Sequence, residues 1–215
     1  MYIFLVGWGL TNAFFKKLAY PHAYKSIFIQ WLTPFKNETL VAYSKRISEQ
    51  VLTNEPCIFI GVSFGGMVAV EVSKLIKPQK LILLSSIATH AELPFYYSMI
   101  GNLGILKIIP MALLKQANFV TYYMFGVKLK DEKILLKNIL TDTDSYFLAW
   151  ALQAIVSWKN AIRPSSYWHL HALDDKILPF RFCNQSCIPF ETGGHFMVYN
   201  QSEKVNQTLV AILSS

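Results

Sequence analysis

Short apolar runs and amphipathic stretches alternate along the first 87 residues. Tyr2 to Val6 is a β-branched and aromatic run and predicts a strand, ended by Gly7-Trp8-Gly9. Asn12 to Leu18 is read as a short helix and Ser26 to Leu32 as a second strand. After a loop from Thr33 to Glu38, with Asn37 as helix cap, a helix from Thr39 to Leu52 places Leu40, Tyr43, Ile47 and Val51 on one face. Asn54-Glu55-Pro56 breaks it. The apolar run Ile58 to Ile60 predicts a buried strand, Met67 to Leu75 a helix closed by Pro78, and Lys80 to Leu84 the next strand. Strand and helix in alternation imply a parallel sheet with helices on both faces.

From Ala88 to about Ile162 the period is helical. Pro94, Gly101, Gly104, Pro110 and Gly126 cut this apolar region into short helices, and Lys107, Lys115, Lys128, Lys130, Lys133 and Lys137 make it basic. It reads as a lid inserted over the end of the sheet and lining a pocket. The sheet pattern resumes with Tyr167 to Ala172 and Ser186 to Phe190, and a helix from Ser202 to Leu213 closes the chain. The expected division is a core of residues 1–87 and 163–215 with a lid of residues 88–162. At 215 residues, one core is expected.

Composition narrows the function classes. The chain is 53% hydrophobic, with mean hydropathy +0.33. Its longest charge-free stretches fall short of the roughly 18–20 apolar residues that a spanning helix needs. Met1 to Val6 lacks a basic leader and is too short for a signal peptide, so a cytoplasmic setting is expected. Net charge is +7, with only three arginines, Arg46, Arg163 and Arg181. No basic run is interleaved with aromatics, so nucleic acid is not expected as a partner. An acidic partner suits the charge better.

Cys57, Cys183 and Cys187 are an odd set, and a single C-x3-C is weak zinc evidence, so they are read as reduced thiols. His169 and His171 are read as pointing to opposite faces of their strand, which speaks against a shared metal. His22 and His90 have no partner by spacing. No metal and no organic cofactor are expected.

The chemistry centres on Gly61-Val62-Ser63-Phe64-Gly65, a Gly-x-Ser-x-Gly turn between strand and helix. Such an elbow lifts a serine oxygen above the end of a parallel sheet, on a strained backbone. Gly61 and Gly65 are read as the glycines its tightness requires. A serine hydroxyl needs a base, and the base an orienting acid. Both follow in the order Ser63, Asp175, His195, each just after an expected strand. Loops at the carboxyl ends of parallel strands meet over one edge, so the three can converge. Glu191, close to His195 in sequence, is an alternative acid.

The chain resembles the α/β-hydrolase fold family. Gly61-Val62-Ser63-Phe64-Gly65-Gly66 matches its nucleophile motif. His171-Ala172-Leu173-Asp174-Asp175-Lys176-Ile177-Leu178-Pro179 resembles its His-Gly-x-x-Asp-x-x-x-Pro acid loop, with Ala172 for the usual glycine, and selects Asp175 over Asp174. Gly193-Gly194-His195 resembles its histidine loop, and Gly7-Trp8-Gly9-Leu10 its oxyanion loop. The resemblance implies a shortened sheet of about six mostly parallel strands and a serine esterase. The backbone N–H groups of Trp8 and Phe64 would hold the oxyanion. Gly-Trp-Gly-Leu, the small size and the lid are also reminiscent of carboxylesterases that cleave pimeloyl-carrier-protein methyl ester in biotin synthesis, which would imply an acidic acyl-carrier protein as partner. Thioester hydrolysis or acyl transfer would use the same residues. Two other expectations stay open: a non-catalytic binding protein on this fold, and contact of the basic lid with a membrane surface.

Overall fold

The computed structural model describes residues 2–7 (as backbone), 25–51, 55–104, 106, 108–183 and 186–215. Six strands form one parallel sheet: β1 (Tyr2–Gly7), β2 (Lys25–Phe28), β3 (Cys57–Val62), β4 (Lys80–Leu84), β5 (Trp168–Ala172) and β6 (Ile188–Phe190). Their spatial order is β2-β1-β3-β4-β5-β6, and every pairing is parallel. From β1 the chain first goes outward to β2, then crosses back to β3 on the other side. The switch point therefore lies between β1 and β3, where ligand crevices form at the carboxyl ends of the strands.

The central strands are buried on both faces, which is why they read as continuous apolar runs. All six residues of β3 are buried. Phe59, Leu81 and Leu83 point to one core. That core also takes in Tyr43 and Ile47 of α1 (Leu40–Ser48), Met67 and Val70 of α2 (Phe64–Ser73) and Trp150 of a later helix. Ile58, Ile60, Val62, Ile82, Leu84 and Leu170 point to the other, against Val205 and Leu209 of the last helix. Strand geometry thus sorts alternate residues into two layers.

Between β4 and β5 the chain is helical: α3 (Phe95–Asn102), α4 (Met111–Leu114), α5 (Phe119–Phe125), α6 (Lys130–Asp142) and α7 (Ser145–Ser157). Asn118 and Asp144 cap α5 and α7 by accepting from Thr121 N and Phe147 N. Helix α7 is the anchor of this lid. Its Trp150 ring lies 4.4 Å from that of Tyr43 and 5.8 Å from that of Phe64, and its indole N–H donates to the Glu38 carbonyl. Buried Asn160 ties the two ends of the insertion, donating to the Ala88 carbonyl while its own carbonyl accepts from His90 N. His90 Nδ1 also lies 2.9 Å from that carbonyl, a partner its spacing did not suggest. After β6 come α8 (Met197–Asn200) and α9 (Ser202–Ser214).

Several boundaries differ from the sequence-based expectation. The second strand stops at Phe28 instead of Leu32. Helix α1 is capped by Thr39, whose hydroxyl accepts from Ala42 N, while Asn37 sits at φ 59° in the turn before it. Helix α2 starts at Phe64, directly behind the serine. The short helix expected over residues 12–18 lies outside the described residues. No helix among those described is long and apolar enough to cross a membrane.

The elbow fits because two glycines lack side chains. A Cβ on Gly61 would lie 2.5 Å from Gly66 Cα, and one on Gly66 would lie 2.5 Å from Ser86 Cβ. The close approach expected at Gly61 is present, and Gly66, which the sequence reading did not single out, makes a second one. Gly61→Ala pushes on backbone that cannot swing away. It should lower stability by about 1–3 kcal/mol, measured as a lower urea midpoint.

Candidate active site

Ser63 sits between β3 and α2 with φ 53° and ψ −125°, a conformation costly for any residue with a Cβ. Its N–H donates to the Leu84 carbonyl on β4. Its carbonyl accepts from Gly66 N and, at 2.7 Å, from the Ser86 hydroxyl. These three bonds hold the strained residue on the sheet.

The structure brings Ser63, Asp175 and His195 together. Ser63 Oγ lies 2.7 Å from His195 Nε2, and His195 Nδ1 lies 2.8 Å from Asp175 Oδ2. With Nδ1–H donating to the carboxylate, Nε2 presents its lone pair to the serine hydroxyl. An imidazole so placed can take the hydroxyl proton and is steadied by the carboxylate when it becomes charged. The other oxygen, Asp175 Oδ1, accepts from the N–H groups of Ile177 and Leu178. Burial opposes a charge on Asp175, but His195 and the hydrogen-bonded His171 outweigh it and hold the carboxyl well below the usual range.

Asp174 plays a different part. Its carboxylate accepts from Gly194 N at 2.7 Å and pins the histidine loop. Gly193 and Gly194 have φ of 129° and 56°, and Gly194 is packed so tightly on Gly126 that a Cβ would lie 2.8 Å from its Cα. Glu191 is exposed, and the Nδ1 bond of His195 goes to Asp175. The N–H of Phe64 opens helix α2 beside Ser63, at the positive end of the helix dipole. Trp8 lies outside the described residues.

Sequence reasoning misplaced two side chains and missed others. Residues two apart on a strand share a face. His169 and His171 therefore stand together, with His171 Nδ1 3.2 Å from His169 Nε2, and not on opposite faces. His171 Nε2 lies 2.7 Å from the Leu178 carbonyl and 3.2 Å from Asp175 Oδ2. Burial works against charge on His171, but the Asp175 carboxylate and the Cys183 sulfur push its pKa up to about 10. For His169, burial and the neighbouring His171 push it down to about 3. Cys57, Cys183 and Cys187 form no disulfide. Tyr97 was not foreseen. Its hydroxyl donates to the Ile177 carbonyl and fastens lid helix α3 to the acid loop. An isolated tyrosine in an apolar helix carries no sequence signal for that.

A cavity of about 330 Å³ opens on Ser63 and His195. Ile100, Leu114, Met124, Leu136, Leu152 and Val156 line it, one or two from each lid helix. Among the described residues that line it, the polar side chains are Ser63, Tyr97, Thr143 and His195, and none is an acid, lysine or arginine. Phe125 stands edge-on to the His195 ring at 5.7 Å.

No family model and no curated protein matches the sequence. Solved structures do match. The whole chain superposes on 92% of an esterase from Exiguobacterium antarcticum, with TM-score 0.73 at 16% identity. It superposes on 91% of an enol-lactonase from Burkholderia xenovorans, with TM-score 0.76 at 13% identity. A lipase-esterase related protein from Clostridium acetobutylicum aligns over 97% of this chain and 92% of its own, with TM-score 0.70 at 16% identity. The chain has the α/β-hydrolase fold. Its sheet is a shortened version of that fold, with the lid inserted between β4 and β5.

The contribution of Asp174 to this hydrolase-fold site can be measured. Asp174→Ala removes the acceptor of the Gly194 N–H. It should cost about 1 kcal/mol and speed amide hydrogen exchange at Gly194 and His195, with little change at β3.

Proposed function

We propose that the protein is a serine hydrolase that cleaves carboxylic esters of apolar acyl groups. The observation that carries this is the continuous chain Ser63–His195–Asp175, bonded at 2.7 and 2.8 Å, at the mouth of an apolar cavity. Ser63 Oγ attacks the ester carbonyl while His195 Nε2 takes its proton. Asp175 orients the imidazole and steadies its charge. The backbone N–H of Phe64, with that of Trp8 by resemblance, holds the oxyanion; one such donor is worth about 3–4 kcal/mol of barrier. His195 then protonates the departing alcohol and activates water, which releases the acid. Neither metal nor organic cofactor enters these steps. The same groups would cleave a thioester or pass the acyl group to another alcohol. A binding protein on this fold would have no need for a serine held at this cost.

The cavity sets the acyl preference. Its volume lies at the lower end of ligand pockets, which run roughly 300–1,000 Å³, and the described part of its wall, which carries no acid, lysine or arginine, suits a medium aliphatic chain. A narrower substrate is a pimeloyl methyl ester on an acidic acyl-carrier protein in the cytoplasm. Supporting it, the sequence between Glu92 and Asp131 holds four lysines and no acid. Turnover of that ester on its carrier should then exceed turnover of the free ester at equal concentration, and equal rates would remove the carrier protein from the account.

A p-nitrophenyl ester series tests the main reading. Activity should peak at medium chains, Ser63→Ala should abolish it, and Asp175→Asn should lower kcat by about 10⁴. Activity undiminished in Ser63→Ala refutes the mechanism. Leu152→Trp fills the cavity from α7. It should cut kcat/KM for octanoyl ester roughly 10-fold or more while acetyl ester changes by only a few-fold.

A further inference from the structure

On the face of β5 that carries His169 and His171, a third donor arrives from another segment. Cys183 follows a short 3-10 turn, Phe180–Phe182, and its sulfur comes to the same point. One donor atom from each of the three residues lies within 4.8 Å of the others. His169 and His171 are 2% and 0% exposed, while Cys183 is half-buried and gives the cluster an opening. Ester hydrolysis as derived above uses neither His169 nor Cys183.

We propose that His169 Nε2, His171 Nδ1 and Cys183 Sγ form a binding site for a zinc-class divalent ion, with a fourth position open to solvent beside Cys183. Zn–N bonds of about 2.0–2.1 Å in a tetrahedron put two ligand nitrogens about 3.3 Å apart. The separation here is 3.2 Å.

The outer nitrogen of His171 supports this assignment. Its Nε2 lies 2.7 Å from the Leu178 carbonyl, the kind of bond that fixes the ring of a ligating histidine and leaves Nδ1 facing inward. The His169 ring is buried, with the Ser86 backbone as a hydrogen-bonding neighbour besides His171.

The donor set selects the metal class. Two imidazoles and a thiolate suit zinc, whereas magnesium and calcium take oxygen ligands. On ligation the Cys183 thiol and the charged His171 ring, at Nδ1, each give up a proton to solvent. The ion would tie β5 to the segment that leads into β6. It would also fix the His171 ring, which braces Asp175 at 3.2 Å.

The test needs no turnover, so its outcome is independent of the hydrolase reading. Folded full-length protein is stripped with a chelator, equilibrated with zinc, desalted and its metal counted. Wild type and Ser63→Ala should each hold one zinc per chain. Cys183→Ser and His169→Gln should bind at least tenfold more weakly, with circular dichroism reporting whether each is folded. Cobalt in place of zinc should give a tetrahedral visible spectrum with a thiolate charge-transfer band in wild type. That band should vanish in Cys183→Ser, whose half-buried position spares the core, so this arm decides the matter even if His169→Gln unfolds. Failure of wild type to retain zinc, or full retention by Cys183→Ser, overturns the proposal.

Discussion

One constraint organises the molecule: Ser63 is held at φ 53° at the end of a fully buried strand. Such a conformation costs about 1–3 kcal/mol and persists only where its surroundings over-determine it. Here they do. Leu84 accepts its N–H, Gly66 and Ser86 donate to its carbonyl, and Gly61 and Gly66 allow the turn to close to van der Waals contact. The same turn starts helix α2 immediately behind the serine, so the hydroxyl and the Phe64 N–H are fixed by one piece of backbone. Strain, glycines and helix dipole are thus a single device.

The rest of the site is built to meet that oxygen. Asp175 accepts from two backbone N–H groups, so the carboxylate cannot swing away from His195. Asp174 pins the histidine loop from one side, and Gly126 of the lid packs on it from the other. The lid is joined to the core by the Trp150–Tyr43–Phe64 ring cluster and to the acid loop by Tyr97. Its helices are apolar on their inner face because they wall the cavity. They are apolar in places on their outer face as well: Phe119 and Val120 of α5 are 81% and 64% exposed.

The parallel sheet was legible because strands buried on both faces leave unbroken apolar runs, and β4 was placed to the residue. Ser63, Asp175 and His195 were legible because each follows such a run in a fixed chain order. What escaped depends on geometry across the fold. The close packing of Gly66 on Ser86 joins two separate segments of the chain. The pairing of His169 with His171 follows from strand period, yet Cys183 joins them only through tertiary packing. Strand β2 ended early because Ile29 to Leu32 turn toward the α1 side, where Tyr43 bonds the Leu32 backbone.

The central claim is that folded protein makes Ser63 a nucleophile. Intact-mass measurement after a brief exposure to a fluorophosphonate probe tests it most directly. A single adduct that maps to Ser63, forms in native protein, and disappears in urea-unfolded protein and in His195→Ala is the predicted result. No adduct on native protein, or an adduct of equal yield without His195, would contradict it.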